Sequence, residues 1–299
     1  MAELTSKREQ CWSYLVLVLP GILIYLFVMA FPTVLSVLLS LTNYNGGPVF
    51  GNRNIKITGI SSYLQVFQDR YFYMALQNNM LIVLVSVFGQ IPLGFTLAYI
   101  LSRKLVKAGD FFQTMIYLPN VISPIIIGIL FKSFYLNHNS LYMEVLKIFN
   151  PAVEFSMNKY PMIPVMVVIL WMYTGGYVII FLANLQRIDT AVIEAAKIDG
   201  AGEAQALWYI ILPAISGVIV ISAILAISGS LKVFDLLFVM TQGGPAHKTT
   251  VLSLYMYDKA FKSGVNFSVA NAISTIMVII SFVLITITQL FENYFGGKE

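Results

Sequence analysis

The residues with the most chemical potential in this 299-residue chain fall in two places. Between Arg187 and Pro213, the acids Asp189, Glu194, Asp199 and Glu203 outnumber the bases Arg187 and Lys197, in a chain of formal net charge +4. Further on, Lys232 and Asp235 stand three positions apart inside an apolar run. Spaced acids on a short polar segment suit docking on a surface of opposite charge. An isolated lysine and aspartate do not form the converging set of groups that covalent catalysis requires. The single cysteine, Cys11, excludes a disulfide framework or cysteine metal site within the chain. His138 and His247 lie far apart in loop-like sequence, against a histidine metal site. No GxxxxGK[ST] phosphate loop occurs.

These groups sit in an apolar frame. Hydrophobic residues make up 58% of the chain and charged residues 11%, with mean hydropathy +0.81. That composition places the chain among polytopic membrane proteins, since a hydrocarbon core needs about 20 apolar residues per helix. A β-barrel would instead alternate in segments of about ten residues. The mild positive balance suits a lipid bilayer and gives no argument for nucleic acid.

Six apolar runs follow in order: Tyr14 to Leu41, Tyr73 to Leu101, Phe111 to Phe134, Pro161 to Leu185, Leu212 to Met240 and Phe267 to Phe291. The first is too long for a signal-peptide core and reads as a retained span behind Lys7 and Arg8. Its prolines, Pro20 and Pro32, require local rearrangement of the helix. Arg103, Lys104 and Lys107 in a tight loop give the clearest positive-inside signal. Arg53, Arg70, Lys147, Lys159, Lys248, Lys259 and Lys262 would lie outside, in longer loops where that rule weakens. The expected fold is all-α and polytopic with six spans and both termini in the cytoplasm. Residues 1–70 hold the tail, first span and an external loop; 71–290 hold a five-helix core; 291–299 form a tail. A short amphipathic helix is expected around Leu141 to Phe149.

The polar island at 187–213 is expected to fold as two short helices. Asp189-Thr190 can cap a helix beginning at Ala191, and Asp199-Gly200 is a natural stop, since glycine tolerates the left-handed conformation. A second helix from about Gly202 leads to Pro213. On these grounds alone, the segment is either a loop with good caps or a lever fixed to two spans.

The spacing adds more. Glu194-Ala195-Ala196, then three residues, Gly200, nine residues, and Ile210-x-Leu212-Pro213 resemble the EAA signature of binding-protein-dependent ABC importer permeases. Trp171, Ile198 to Gly202, Phe234-Asp235 and Thr241 to Pro245 resemble the carbohydrate-uptake branch and its first permease subunit, over about Tyr71 to Leu290. One departure is Ala191, where relatives often have proline. The resemblance implies a type I ABC importer permease fold in a bacterial inner membrane, with a cytoplasmic coupling helix that docks on an ATPase. Glu194, Ala195, Ala196, Asp199, Gly200, Ile210, Leu212 and Pro213 would form that coupling loop. It further implies a second homologous permease, two ATPase subunits that carry ATP and Mg2+, and an extracytoplasmic solute-binding protein. This chain itself would bind no cofactor.

The same resemblance assigns the fourth and fifth spans to the translocation pathway, with Trp171, Tyr173, Thr174, Gly176, Tyr177, Ser230, Phe234 and Asp235 as its candidates. Gly175, Ser228 and Lys232 lie beside them. Aromatic faces with hydrogen-bonding groups suit sugars. Helix packing by glycine and headgroup anchoring by tyrosine explain the same residue types. Lys232 and Asp235, three apart on the fifth span, are expected to lie near one another on a helix as a local pair; an external end for Asp235 is equally open, given how close Gly243 follows. Asn78, Asn79, Gln90, Asn120, Ser123 and Asn271 are expected to bond between helices. Two other classes remain. An ion-driven secondary transporter wants paired intramembrane acids, for which only Asp235 is a candidate. An intramembrane enzyme needs a catalytic cluster.

Overall fold

The computed structural model describes residues 7–49, 51, 53–136, 148, 161–262 and 264–296; the amphipathic helix expected around Leu141 to Phe149 lies outside them, apart from a single helical residue at 148. Among the described residues the fold is helical, with one isolated bridge between Thr42 and Ile57 and no strand.

Five helices are long and apolar enough to cross a membrane: Leu15–Ser40, Arg70–Ser102, Met162–Leu185, Ser216–Met240 and Phe267–Leu290. They are spans one, two, four, five and six below. The third expected span is a bent pair, Gly109–Val121 and Pro124–Tyr135, with 93° between its halves. The sequence reading had treated it as one interrupted helix. The break has a local cause. Proline disfavours helical backbone at the residue before it, yet its fixed φ suits the first turn of a new helix. Helical backbone is therefore disfavoured at Ser123; the first half has already ended at Ile122 (φ −75°, ψ 140°), and the Ser123 hydroxyl accepts from the Ile125 N–H at 3.3 Å as the second half begins.

Prolines also explain three π-helical turns, Leu26–Ala30, Ser86–Gln90 and Leu207–Ile211. Each runs straight into an X-Pro step: Phe31-Pro32, Ile91-Pro92 and Leu212-Pro213. A proline ring clashes with the carbonyl four residues back and offers that carbonyl no N–H. Widening the preceding turn accommodates both without ending the helix.

The chain forms two compact units. The first comprises Met1–Gln68 with Met256–Ile276, and the second Asp69–Tyr255 with Met277–Glu299. In the first, span one is exposed along its apolar length. The Ser36 hydroxyl donates to Asn271 Oδ1 at 2.7 Å, Ser62 and Ser268 bond at 3.0 Å, and Ser40 and Tyr63 at 2.6 Å. Asn271 thus bonds between elements as expected.

The second unit holds both candidate sites. Span four packs closely on spans two and three because glycines sit at both contacts. A Cβ on Gly94 would stand 2.7 Å from Tyr177 Cβ, and one on Gly175 would stand 2.3 Å from the Ile116 carbonyl oxygen. Small residues let membrane helices approach this closely. Ile91, Ala98, Phe181, Leu182 and Leu185 then share one buried cluster with Ile193, Ile211 and Ile215 from the polar island and its exit. Val83, Ile227 and Leu231 form another buried cluster, covered by Ile280, Leu284 and Ile285 of span six.

Candidate functional site

The island folds as two short helices. Asp189 is extended, and its carboxylate accepts from the Ala191 N–H at 2.9 Å, capping Thr190–Ile198. Ala201 N–H returns to the Ala196 carbonyl at 2.9 Å, and Gly200 turns the chain at φ +90°, where residues with a Cβ are strained. Gln205 then accepts from Gly202 N–H at 2.8 Å, starting Glu203–Ala206.

Glu194, Ala195, Asp199 and Gly200 are exposed, whereas Ile193 on the same helix is buried among Phe181, Leu185, Ile211 and Ile215. Burying one isoleucine stabilises by roughly 2 kcal/mol. The helix is therefore rooted by its apolar side and presents Glu194 outward. Ile210 and Leu212 are partly covered, and Pro213 is exposed. Val192, Ile198, Trp208 and Tyr209 are also exposed, so the outer face is apolar as well as acidic.

One member of the island had no role in the sequence reading. Glu203 accepts from Lys197 Nζ, receives the Tyr99 hydroxyl at 3.3 Å, and lies 3.8 Å from Arg103. The Lys197 hydrogen bond leads the causes that hold its carboxyl below the ordinary glutamate range, with help from the Lys197 and Arg103 charges and the Tyr99 hydroxyl. Only the surplus acid at that position was visible in sequence. Two of its partners, Tyr99 and Arg103, lie at the end of span two, about a hundred residues upstream.

The second site is a cavity of about 360 Å³. Tyr173, Gly176, Tyr177, Ser230, Lys232, Phe234 and Asp235 line it, together with Ile169 and Ile180 of span four. The span-four positions recur at helical spacing, so they form one stripe. Trp171 and Thr174 lie off that stripe and do not line the cavity. Trp171 is about half exposed, with its ring 5.5 Å edge-on from Phe131. Thr174 is buried and donates to the Leu170 carbonyl at 2.6 Å.

Lys232 and Asp235 do not share a helix. Ser216–Lys232 ends at Val233, Phe234 takes φ −136° and ψ −61°, and a new helix starts at Asp235. No ion pair joins them among the described residues. Both instead border the cavity, where neither makes a hydrogen bond within the described chain.

Ser86, Gln90 and Asn120 also line the cavity. Gln90 donates to the Ile169 carbonyl at 2.9 Å, and Ser86 accepts from the Ser230 hydroxyl at 2.9 Å. Gln90 thus bonds between helices, as expected. Asn120 does not: its amide has no hydrogen-bond partner among the described residues and faces the cavity beside Gly176. Asn78 donates to the Lys248 and Thr250 carbonyls, and Asn79 spans the Ser230 carbonyl and the Leu252 N–H. Ser123 serves its own helix start.

Three irregular backbone segments meet at this wall: the π-turn Ser86–Gln90, the break after Val121, and the break at Val233-Phe234. Irregular backbone at membrane depth is tolerated where it lines a cavity or is covered by protein, because lipid cannot satisfy its polar groups. Pro92, just after the π-turn, and Pro124, just after the second break, mark two of them in the sequence. By contrast, Gly243-Gly244-Pro245 closes a bonded turn. Gly244 N–H donates to the Thr241 carbonyl, and Thr249 donates to the Gly244 carbonyl at 2.7 Å.

Comparison with known proteins follows this geometry. Residues 90–298 match the family model described as binding-protein-dependent transport system inner membrane component. The chain is 31% identical over 298 residues to the probable ABC transporter permease protein YurN of Bacillus subtilis, covering 98% of this chain and 99% of that one. It is 31% identical over 289 residues to the lactose transport system permease protein LacF of Rhizobium radiobacter (94% and 93% covered). It is 32% identical over 295 residues to the multiple sugar-binding transport system permease protein MsmF of Streptococcus mutans (94% and 96% covered). A chain of a bacterial ABC transporter involved in import of the acidic polysaccharide alginate shares the fold, with TM-score 0.79 at 20% identity over 96% of this chain and 97% of that one.

Proposed function

The chain belongs to the binding-protein-dependent transport system inner membrane components, and we propose that it is a permease subunit of an ATP-driven importer for a carbohydrate. The family is a transport family, so this is a multi-span transport subunit. Its chemistry is movement of a solute.

The observation that carries the proposal is how the island is rooted. Ile193, Ile211 and Ile215 sit in one cluster with the ends of spans two and four, while Glu194 stays exposed. A force applied to the exposed helix is passed to those spans, because packed interiors move as bodies. Span four carries Tyr173 and Tyr177 on its cavity face and ends at Leu185, about 12 Å beyond Tyr177 at 1.5 Å per residue. Displacing the island therefore displaces the cavity wall. Glu194 would dock on a basic-lined groove of an ATPase subunit, with Ala195 and Ala196 allowing close approach. ATP and Mg2+ would be bound by two such subunits. A second permease would complete the pathway, and a solute-binding protein would deliver substrate from the opposite side. On this reading the island and both termini lie in the cytoplasm of a bacterial cell.

Carbohydrate is favoured by the cavity: Tyr173, Tyr177 and Phe234 offer ring faces, while Asn120, Lys232 and Asp235 offer uncommitted hydrogen-bonding groups. The relatives named for lactose, for multiple sugars and for starch degradation products agree.

The test is uptake of a panel of oligosaccharides by proteoliposomes holding the full complex. Uptake should require ATP and the binding protein. Accumulation driven by a proton or sodium gradient without ATP would overturn the reading.

A further inference from the structure

Glu203 joins groups from three segments. Lys197 belongs to the last turn of Thr190–Ile198, Glu203 opens the next short helix, and Tyr99 and Arg103 end span two. Tyr99 and Arg103 are four apart, with Arg103 N–H bonded to the Tyr99 carbonyl, so their side chains lie on one helix face. The Arg103 guanidinium also sits over the Tyr99 ring, 5.3 Å from its centre. An isolated exposed ion pair contributes little. Here one carboxylate, itself 61% exposed, meets two cations and a hydroxyl, and the Arg103 side chain is 23% exposed.

We propose that Glu203 is a positioning residue that ties the ATPase-docking helix to span two, so that one displacement reaches both walls of the cavity. The inference rests on the importer reading above. Without Glu203, the island still holds span four through continuous chain and Ile193. Its hold on span two would then rest on the apolar cluster alone, where Ile91 and Ala98 are buried with Ile193, Ile211 and Ile215. Span two matters because its segment Ile91–Ser102 runs from this clamp to the π-turn Ser86–Gln90, a length of about 18 Å. That turn supplies Ser86 and Gln90 to the cavity lining, where they are hydrogen-bonded to Ser230 of span five and Ile169 of span four. The clamp therefore links the docking site to a span that reaches the cavity without passing through the island.

The experiment uses the full complex in proteoliposomes and measures uptake per ATP hydrolysed. Glu203→Ala should leave copurification of the ATPase subunits unchanged and lower that ratio about fivefold, the low end of coupling between distant sites. Glu203→Gln, which keeps an acceptor, should fall between Ala and wild type. In a Cys11→Ala background, Arg103→Cys with Glu203→Cys should show the same low ratio, and a short thiol-to-thiol cross-linker should restore it. A wild-type ratio in Glu203→Ala overturns the inference, as does a ratio that stays low after cross-linking. Failure of the wild-type complex to couple uptake to ATP would instead bring down the importer reading.

Discussion

The island at 187–213 and the cavity are built on opposite plans. The island is contiguous: cap, helix, left-handed glycine and second helix follow one another within one stretch of chain. The cavity draws single residues from four spans, at Ser86 and Gln90, Asn120, Tyr173 and Tyr177, and Ser230 to Asp235. The island's irregular points, the Gly200 turn and the π-turn Leu207–Ile211, fall along one rooted stretch, while the cavity gathers breaks from separate spans. A part that delivers force must keep its shape. A part that opens and closes around a solute needs breaks about which its walls can shift.

The sharpest way to break this comparison is Glu194→Lys. It should abolish ATPase copurification and reduce ATP-dependent uptake at least about tenfold, as reversal of a central interfacial charge implies; unchanged binding and uptake would remove the docking role. Next is Gly175→Ala, which touches neither site. Its Cβ meets the Ile116 carbonyl and should destabilise the packing of the third and fourth spans by about 1–3 kcal/mol, read as a lowered Tm in detergent. Tyr173→Ala and Phe234→Ala should lower uptake severalfold with assembly and Tm preserved, on the order of one lost stacking contact of about 1 kcal/mol. Normal uptake in both would show that this cavity is not on the pathway. Gly200→Ala, at φ +90° with open space around it, should cost about 1–2 kcal/mol of backbone strain and lower Tm slightly.

The smallest effect is the pH dependence of the Glu203 clamp. Its carboxyl is lowered in the folded chain, so the stabilisation is present above the ordinary glutamate value and is lost as pH falls through the lowered one. The Tm difference between wild type and Glu203→Gln should persist from neutral pH down to about 4.3 and close below it. A difference that vanishes near neutral pH would mean the lysine and arginine do not hold that charge.

Legibility follows the same divide. Asp189 as a cap and Gly200 as a stop were readable because both act through backbone within a few residues. Lys232 and Asp235 were expected to share a helix, since nothing as rigid as proline marks the break between them. Asn120 was assigned to packing because no local signal distinguishes an amide facing a cavity from one facing a helix. Trp171 and Thr174 were grouped with Tyr173 and Tyr177 by nearness in sequence, and the helical period separated them.

By itself, the sequence determined that this chain is a bundle of apolar helices interrupted by one acidic, capped helical segment, because hydropathy, caps and turn residues act over short distances. The tertiary structure alone decided where the cavity lies, which charges are left uncommitted beside it, and that Glu203 reaches back to Tyr99 and Arg103. Those are contacts between residues up to a hundred or more positions apart, and only the packing of glycine-faced spans brings them together.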